Sequence, residues 1–355
     1  MLLTDRKWGK YTLETLFYIN RGNAKNIGKK PKGNIALISA IDSNNGLSSF
    51  SELSDSETVY KEVYTVNNNG NGVCLAYWHQ YSFISSSDVS VLTPKIDRLK
   101  NKYVAHFIIV CIERQKSKFN YGYKMSNDRM KRQTILLPID NNENIDYTFM
   151  EEYVKYQEDK KKQEYIMHVK NSLSKLEYKE VPALSEKEWS DFKVLDLFHY
   201  KRGNQNNMNS LTEGNDMLIS AKNINNGLKG FYSFNNDKKS LYEGDCITLN
   251  NDGDGGVGLA YYQPYKFLLD THVYALYSKK NISKYSKLFI TFSISKQRIC
   301  FSHGRSINID RLGKMKILLP IMSDGNPDYT YMEQYIKNIE YKKLTQYLTY
   351  INNYK

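Results

Sequence analysis

The chain has 355 residues, 50 Lys and Arg against 38 Asp and Glu, a formal charge of +12 and a mean hydropathy of −0.61. That length suits two domains, each large enough to bury its own core. No apolar run approaches the ~18 residues that span a bilayer. The leading MLLTDRKWGKY lacks the apolar stretch of a signal peptide, so a cytoplasmic location and no membrane partner are expected. Thirty Tyr, 14 Phe and three Trp exclude wholesale disorder.

From the N-terminus, WGKYTLETLFYINRGN (Trp8 to Asn23) is followed by LISAIDSNNGL (Leu37 to Leu47) and by a Gly-rich TVNNNGNGVCLAYW from Thr65. DRMKRQTILLPI from Asp128 and DYTFMEEYVK from Asp146 complete the series. The second half restates all five blocks in the same order, 181 to 184 residues later: WSDFKVLDLFHYKRGN, LISAKNINNGL, TLNNDGDGGVGLAYY, DRLGKMKILLPI and DYTYMEQYIK. A period of about 180 residues is domain-sized, so the chain is a tandem duplication of one module.

Within each copy, short strands broken by Asn/Gly turns are predicted, among them Ile35 to Ala40, Cys246 to Leu249 and Val273 to Tyr277. The apolar run Tyr103 to Ile112 fits either a buried helix or a strand. The mixture predicts an α+β module. The end of each copy, Tyr147 to about Lys179 and Tyr329 to about Asn352, has no Pro or Gly and predicts a long helix. Ile166, Val169, Leu173 and Leu176, and Tyr341, Leu344, Leu348 and Ile351, are spaced 3, 4, 3. These seams suit an amphipathic helix lying on its own domain or two helices packed as a coiled-coil spacer. The spacer is favoured, because about 45 Å of helix would overhang a ~140-residue globule. The predicted domains are 1–146, a spacer at 147–184, 185–327 and a C-terminal spacer helix at 328–355.

Catalytic signatures are missing. The chain has no GxxxxGK[ST], HExxH, GxSxG or [DN]PP[YF]. Asp328 with Glu340 and Lys342 formally fits a metal-dependent nuclease pattern, but the carboxylates fall twelve residues apart on one predicted helix, about 18 Å, and cannot converge on one metal. Asn250, Asp252 and Asp254 imitate the start of a calcium loop, yet Tyr261 stands where the bidentate Glu belongs. The six histidines form no HxH pair. Cys74, Cys111, Cys246 and Cys300 form no CxxC, and reduced, semi-buried thiols are expected. No catalytic residue and no metal ligand is therefore assigned.

The residues suited to nucleic acid lie on loops. Before each ILLPI block, copy one carries Lys116, Lys118, Tyr121, Tyr123 and Lys124, and copy two carries Arg298, His303, Arg305, Ser306 and Asn308. Cations, amides and aromatics of this kind clamp phosphate, fork onto guanine or pair with adenine. In the Gly-rich loops Asn68, Asn71 and Asn251 are candidates for the same contacts, as are the repeated pairs Asn44–Asn45 and Asn225–Asn226. The loop glycines Gly70, Gly72, Gly253, Gly255 and Gly256 are read as permitting positive φ and close backbone approach. Ordinary turn formation accounts for these Asn and Gly residues equally well. Residue types at aligned loop positions differ between the copies while the frame stays fixed. That pattern suits one scaffold reading two sequences, and neutral drift of loops also produces it.

A duplicated module that opens with a Trp and a Leu-Phe…Arg-Gly segment, carries a Gly-x-Gly loop and ends in a long helix resembles the DNA-specificity subunit of Type I restriction-modification enzymes. Gly304, Asn308, Ile309, Leu312, Ile317, Leu319 and Pro320 carry the resemblance. GNPDYTYMEQYI, from Gly325, is similar to the related Type IIB specificity subunits. The resemblance implies two target recognition domains, each reading half of a split double-stranded DNA sequence, and helices that pair antiparallel as a spacer. It implies a subunit without catalysis that docks two methyltransferase subunits, with room for a restriction subunit. It also implies no cofactor on this chain, S-adenosylmethionine being carried by the partner. Copy one departs from the pattern: Ser126 and Asn127 stand for Asn308 and Ile309, and Ile145 for Pro327. A differently shaped recognition loop is expected there. Two other readings stay in play: a tandem carbohydrate- or protein-binding module that uses a Tyr-rich surface, and a nuclease with scattered carboxylates.

Overall fold

The computed structural model describes residues 2–70, 72–119, 123–206, 211–233, 241–253, 256–302 and 304–353. The chain divides into two compact units, Met1–Tyr165 and Ile166–Lys355. The first contains β1 (Lys7–Thr12), α1 (Leu13–Leu16), β2 (Phe17–Arg21), β3 (Lys32–Ile38), β4 (Leu47–Ser51), β5 (Val63–Asn67), β6 (Ala76–His79), β7 (Phe83–Ser85) and β8 (Val89–Pro94). It continues with α2 (Lys102–Glu113), α3 (Asn127–Lys131), β9 (Thr134–Ile139) and α4 (Tyr147–Leu173), the boundary falling inside α4. The second repeats the order: β10 (Trp189–Lys193), α5 (Val194–Leu197), β11 (Phe198–Arg202), β12 (Glu213–Ile219), β13 (Leu228–Tyr232), β14 (Cys246–Asn250), β15 (Ala260–Gln263), β16 (Leu268–Leu269), β17 (Val273–Ser278), α6 (Lys284–Lys296), α7 (Ile309–Lys314), β18 (Lys316–Pro320) and α8 (Tyr329–Asn353).

Both units have one topology. A four-stranded antiparallel sheet, β2-β8-β5-β6 or β11-β17-β14-β15, sits beside a three-stranded sheet, β4-β3-β7 or β13-β12-β16, and a two-stranded ribbon, β1-β9 or β10-β18. The register repeats as well: Thr65 faces Tyr77 and Val91, and Thr248 faces Tyr261 and Ala275. The run Tyr103 to Ile112 is helical. Asn101 caps α2, its Oδ1 accepting from Tyr103 N at 2.9 Å and Val104 N at 3.4 Å, and Val104, Ala105, Phe107, Ile108 and Ile112 are buried on one side. In the ILLP strands, Ile135 and Leu137 are buried while Leu136 is exposed, the period-2 alternation of a strand with one face on the core.

The repeated Arg-Gly-Asn at the ends of β2 and β11 has a packing cause. A Cβ on Gly22 would lie 2.3 Å from Ser86 O, and one on Gly203 would lie 1.9 Å from Asp270 O. The neighbouring Arg21 and Arg202 side chains donate to the carbonyls of Ser87 and Thr271, the latter at 3.1 Å. These arginines tie the sheet edge to the adjoining loop.

The long helices begin at equivalent caps. Asp146 Oδ1 accepts from Phe149 N and Asp328 Oδ1 from Tyr331 N, both at 2.9 Å, and Arg6 and Lys187 pair with the two carboxylates at 3.5 and 2.9 Å. Asp328 thus works as a helix cap. α8 runs as expected, whereas α4 stops at Leu173 instead of about Lys179. Tight turns close at Ser172–Lys175 and Leu173–Leu176, and the chain then extends along α8. Gln334 Nε2 donates to Glu177 O at 2.8 Å. Asn338 receives Lys179 N at 3.2 Å and donates to Lys179 O at 2.5 Å. Tertiary hydrogen bonds replace helical ones there. Of the seam residues, Val169, Leu176 and Ile351 are buried and Ile166, Leu173, Tyr341, Leu344 and Leu348 half-buried.

Candidate nucleic-acid interface

Each unit carries its cations where the helix packed on the four-stranded sheet runs out. In the first, α2 ends at Glu113 with Arg114 as its C-cap, and a tight turn presents Lys116 and Lys118, both exposed, with Lys118 donating to Gln115. Phe119 is buried and anchors the loop. Tyr123 stacks on it at 6.0 Å, and the Arg129 guanidinium lies 3.9 Å from the centre of the Tyr123 ring. Lys124 is exposed and its carbonyl accepts from Arg129 Nη1 at 2.8 Å. Tyr121 lies outside the described residues.

In the second unit the turn after α6 exposes Arg298, and Ser302 and Arg305 bond through their backbones so that Arg305 projects from a tight bend. Ser306 is half-buried, and its carbonyl accepts from Arg311 Nη1 at 2.7 Å. Asn308 is exposed but occupied as the cap of α7, its Oδ1 accepting from Arg311 N at 2.9 Å. His303 lies outside the described residues. The expected difference of shape in copy one is not seen at this junction. Ser126 caps α3 as Asn308 caps α7, Arg129 holds Lys124 as Arg311 holds Ser306, and Ile139–Ile145 bridges as Ile321–Pro327 does. The frame is one, and the residues mounted on it differ.

The asparagines divide. Asn68 and Asn251 are buried, their amides donating to Ser90 Oγ at 3.3 Å and Thr271 O at 3.5 Å, so their side chains face inward. Asn44–Asn45 and Asn225–Asn226 are exposed and adopt φ of 49°, 54°, 51° and 52°, followed by Gly46 and Gly227 at 74° and 78°. Asn tolerates this left-handed turn, which accounts for the repeated Asn-Asn-Gly. Asn71 lies outside the described residues. Gly70 and Gly253 have positive φ, while Gly72 and Gly256 do not. Gly256 is required instead by close approach, since a Cβ would lie 2.5 Å from Ala221 O. Gly255 and Asp254 are outside the described residues.

Two features were missed by sequence reasoning. Ile299, between Arg298 and Cys300, is 93% exposed; an apolar side chain there can touch a thymine methyl. The signal was an aliphatic residue inside the run KQRICFS. A cleft of about 310 Å³ beside the Gly-rich loop of the second unit is lined by Lys222, Asp252, Asp270 and His272, with His272 Nδ1 2.9 Å from Asp270 Oδ1. Among the described residues no group of three His, Cys, Asp or Glu is placed to hold a metal. Cys74 and Cys246 are buried, and burial pushes each thiol up to about 12. Cys300 is exposed rather than semi-buried. Among the described residues no helix is long and apolar enough to cross a membrane.

Two copies of one sheet-and-helix module, each presenting cations on a turn held by a fixed frame, define a duplicated DNA-reading protein. The chain belongs to the family of the Type I restriction modification DNA specificity domain, which matches residues 5–166 and 186–349. It is a DNA-specificity subunit of a restriction-modification system. It is 28% identical over 289 residues, 81% of each chain, to the Type II restriction enzyme BgcI specificity subunit S.BcgI of Heyndrickxia coagulans. Among solved structures it aligns with the Type I restriction-modification S subunit from M. genitalium at TM-score 0.49 and 15% identity, covering 99% of this chain and 94% of that one. It also aligns with the HsdS subunit from Thermoanaerobacter tengcongensis at TM-score 0.32 and 11% identity, covering 98% and 91%.

Proposed function

We propose that the chain reads a bipartite DNA target, one half with each unit, and carries no catalytic residue of its own. Two methyltransferase subunits dock on it, bring S-adenosylmethionine and methylate adenine. The reading regions are 1–146 and 185–327. The segments 147–184, a helix and linker, and 328–355 supply α4 and α8, which pair antiparallel as the spacer, and the protein works in the cytoplasm. Lys116, Lys118 and Lys124 in the first unit and Arg298, Arg305 and Ile299 in the second make the contacts. Buried Asn68 and Asn251 and the cap Asn308 shape the loops. The observation that carries this reading is one loop frame built twice with different exposed side chains, as two different half-sites require. α4 has 27 residues and is about 40 Å long, a length comparable with one duplex turn.

The test is to co-express the chain with the methyltransferase subunit encoded beside it and map methylated adenines in host DNA. A two-part motif is expected, with one half changed by exchanging residues 1–146 for another module and the other half changed by exchanging 185–327. A stable complex without new methylation overturns the reading.

A further inference from the structure

Each unit has an apolar groove beside its reading turn, and the two grooves are built from equivalent residues. In the first, about 560 Å³, the groove lies between α2, α4 and the β1-β9 ribbon; in the second, about 420 Å³, between α6, α8 and β10-β18. The floor is an aromatic triad. Trp8 stacks on Phe107 at 6.3 Å and 20°, and Phe107 meets Tyr153 edge-on at 5.9 Å and 83°. Trp189 stacks on Phe289 at 6.2 Å and 25°, and Phe289 meets Tyr335 at 5.8 Å and 80°. Both indole N–H groups are used internally, on Leu3 O at 3.4 Å and Leu184 O at 3.0 Å, which leaves the rings to the groove.

The lips are apolar and open to solvent: Val110 and Leu136 in one unit, Phe292 and Leu318 in the other, all half exposed or more. One end of each groove carries a cation, Arg114 or Lys296, followed in both by a glutamine, Gln115 or Gln297. A concave apolar floor with exposed apolar lips is a shape that a partner's apolar segment can fill. The reading loops changed residue type between the copies, whereas the triad, the apolar lips and the cation stayed. A surface held constant in both copies fits the same partner twice.

A phosphate backbone has no apolar body to fill such a groove. A second copy of this chain is disfavoured by charge, since each copy carries a formal charge of +12. We infer that each groove is the docking site for one methyltransferase subunit, which inserts an apolar segment with an acidic residue placed against Arg114 or Lys296. The inference rests on the reading that this chain binds two such subunits, and it fits the net charge of +12, which favours an acidic partner surface.

The experiment uses the full chain with the methyltransferase subunit encoded beside it, the complex being weighed by native mass spectrometry. The wild type is expected to take two subunits. Val110→Glu with Leu136→Glu is expected to leave one, Phe292→Glu with Leu318→Glu to leave one, and all four to leave none. The melting temperature and DNA affinity of the chain alone should stay unchanged. Should a Glu variant fail to fold, Arg114→Glu with Lys296→Glu serves, with affinity for the methyltransferase expected to drop at least tenfold. Folded variants that still take two subunits with affinities within twofold of wild type overturn the docking site alone. A wild type that takes none overturns the functional reading and this inference together. Self-association abolished by the substitutions assigns the grooves to a second copy and overturns the inference.

Discussion

His79 and Gln263 occupy equivalent strand ends, opposite Val63 and Cys246, and each bonds the Thr two residues further along the neighbouring strand: His79 Nε2 lies 2.8 Å from Thr65 Oγ1, and Gln263 Nε2 donates to Thr248 Oγ1 at 3.0 Å. Burial lowers the His79 pKa from 6.5 to about 4. The unfolded chain therefore binds the extra proton between these values, so the contribution is complete above pH 6.5 and is lost as the pH falls toward 4. The loss amounts to roughly 3 kcal/mol in the first unit. His79→Gln, which copies the second unit, is expected to keep the bond to Thr65 and flatten that acid limb. Melting curves at pH 7 and pH 5 check it, and an unchanged acid slope contradicts it. Among the exposed loop residues, Arg305→Ala is expected to cost about 1–3 kcal/mol of affinity on a cognate half-site if it forks onto a base, and to lower the salt slope by about one if it holds phosphate. Ile299→Ala is expected to cost about 1 kcal/mol only on targets with a thymine methyl at the position it meets. Filter binding against single-base target variants separates the three outcomes.

The elements owe their ends to contacts of different range. The start of α8 is local, because Asp328 caps it and Lys187 neutralises the cap. The end of α4 is not: nothing in its composition stops a helix at Leu173, and the extended stretch Glu177–Lys179 is held by Gln334 and Asn338 of α8. Asn338→Ala strands both backbone groups of Lys179 and is expected to destabilise the second unit by about 1–3 kcal/mol, read as a lower denaturant midpoint with an unchanged slope. The Arg-Gly-Asn corner is equally demanding. Gly203→Ala forces a methyl against the Asp270 carbonyl; a loss of about 1–3 kcal/mol is expected, visible as a lower melting temperature, while Ala at exposed Gly304, which has nothing within 4 Å of its Cβ position, is expected to be nearly neutral.

At the scale of the whole molecule, charge and duplication act together. A basic chain that grips phosphates through both units loses affinity steeply as salt rises, with log affinity falling linearly against log salt. Titrations between 50 and 200 mM salt are expected to give a slope that about halves when only one unit is engaged, as on a target carrying a single half-site; a flat response contradicts DNA reading by the basic turns. Of the carboxylates repeated in both copies, Asp146 and Asp328 are spent on helix caps.

Much of this organisation was legible without coordinates. Five blocks in one order established the tandem module, and runs without Pro or Gly placed both long helices, because periodicity and helix-breaking residues act over a few positions of sequence. The tertiary structure alone decided which polar residues face water. Asn68 and Asn251 look like exposed loop amides in sequence but are turned inward by Ser90 and Thr271, while Ile299, an aliphatic residue that composition assigns to a core, stands in solvent. The matching grooves were equally hidden. Trp8, Phe107 and Tyr153 are separated by about a hundred and by forty-six residues, and only packing of α2 and α4 against the β1-β9 ribbon brings their rings together.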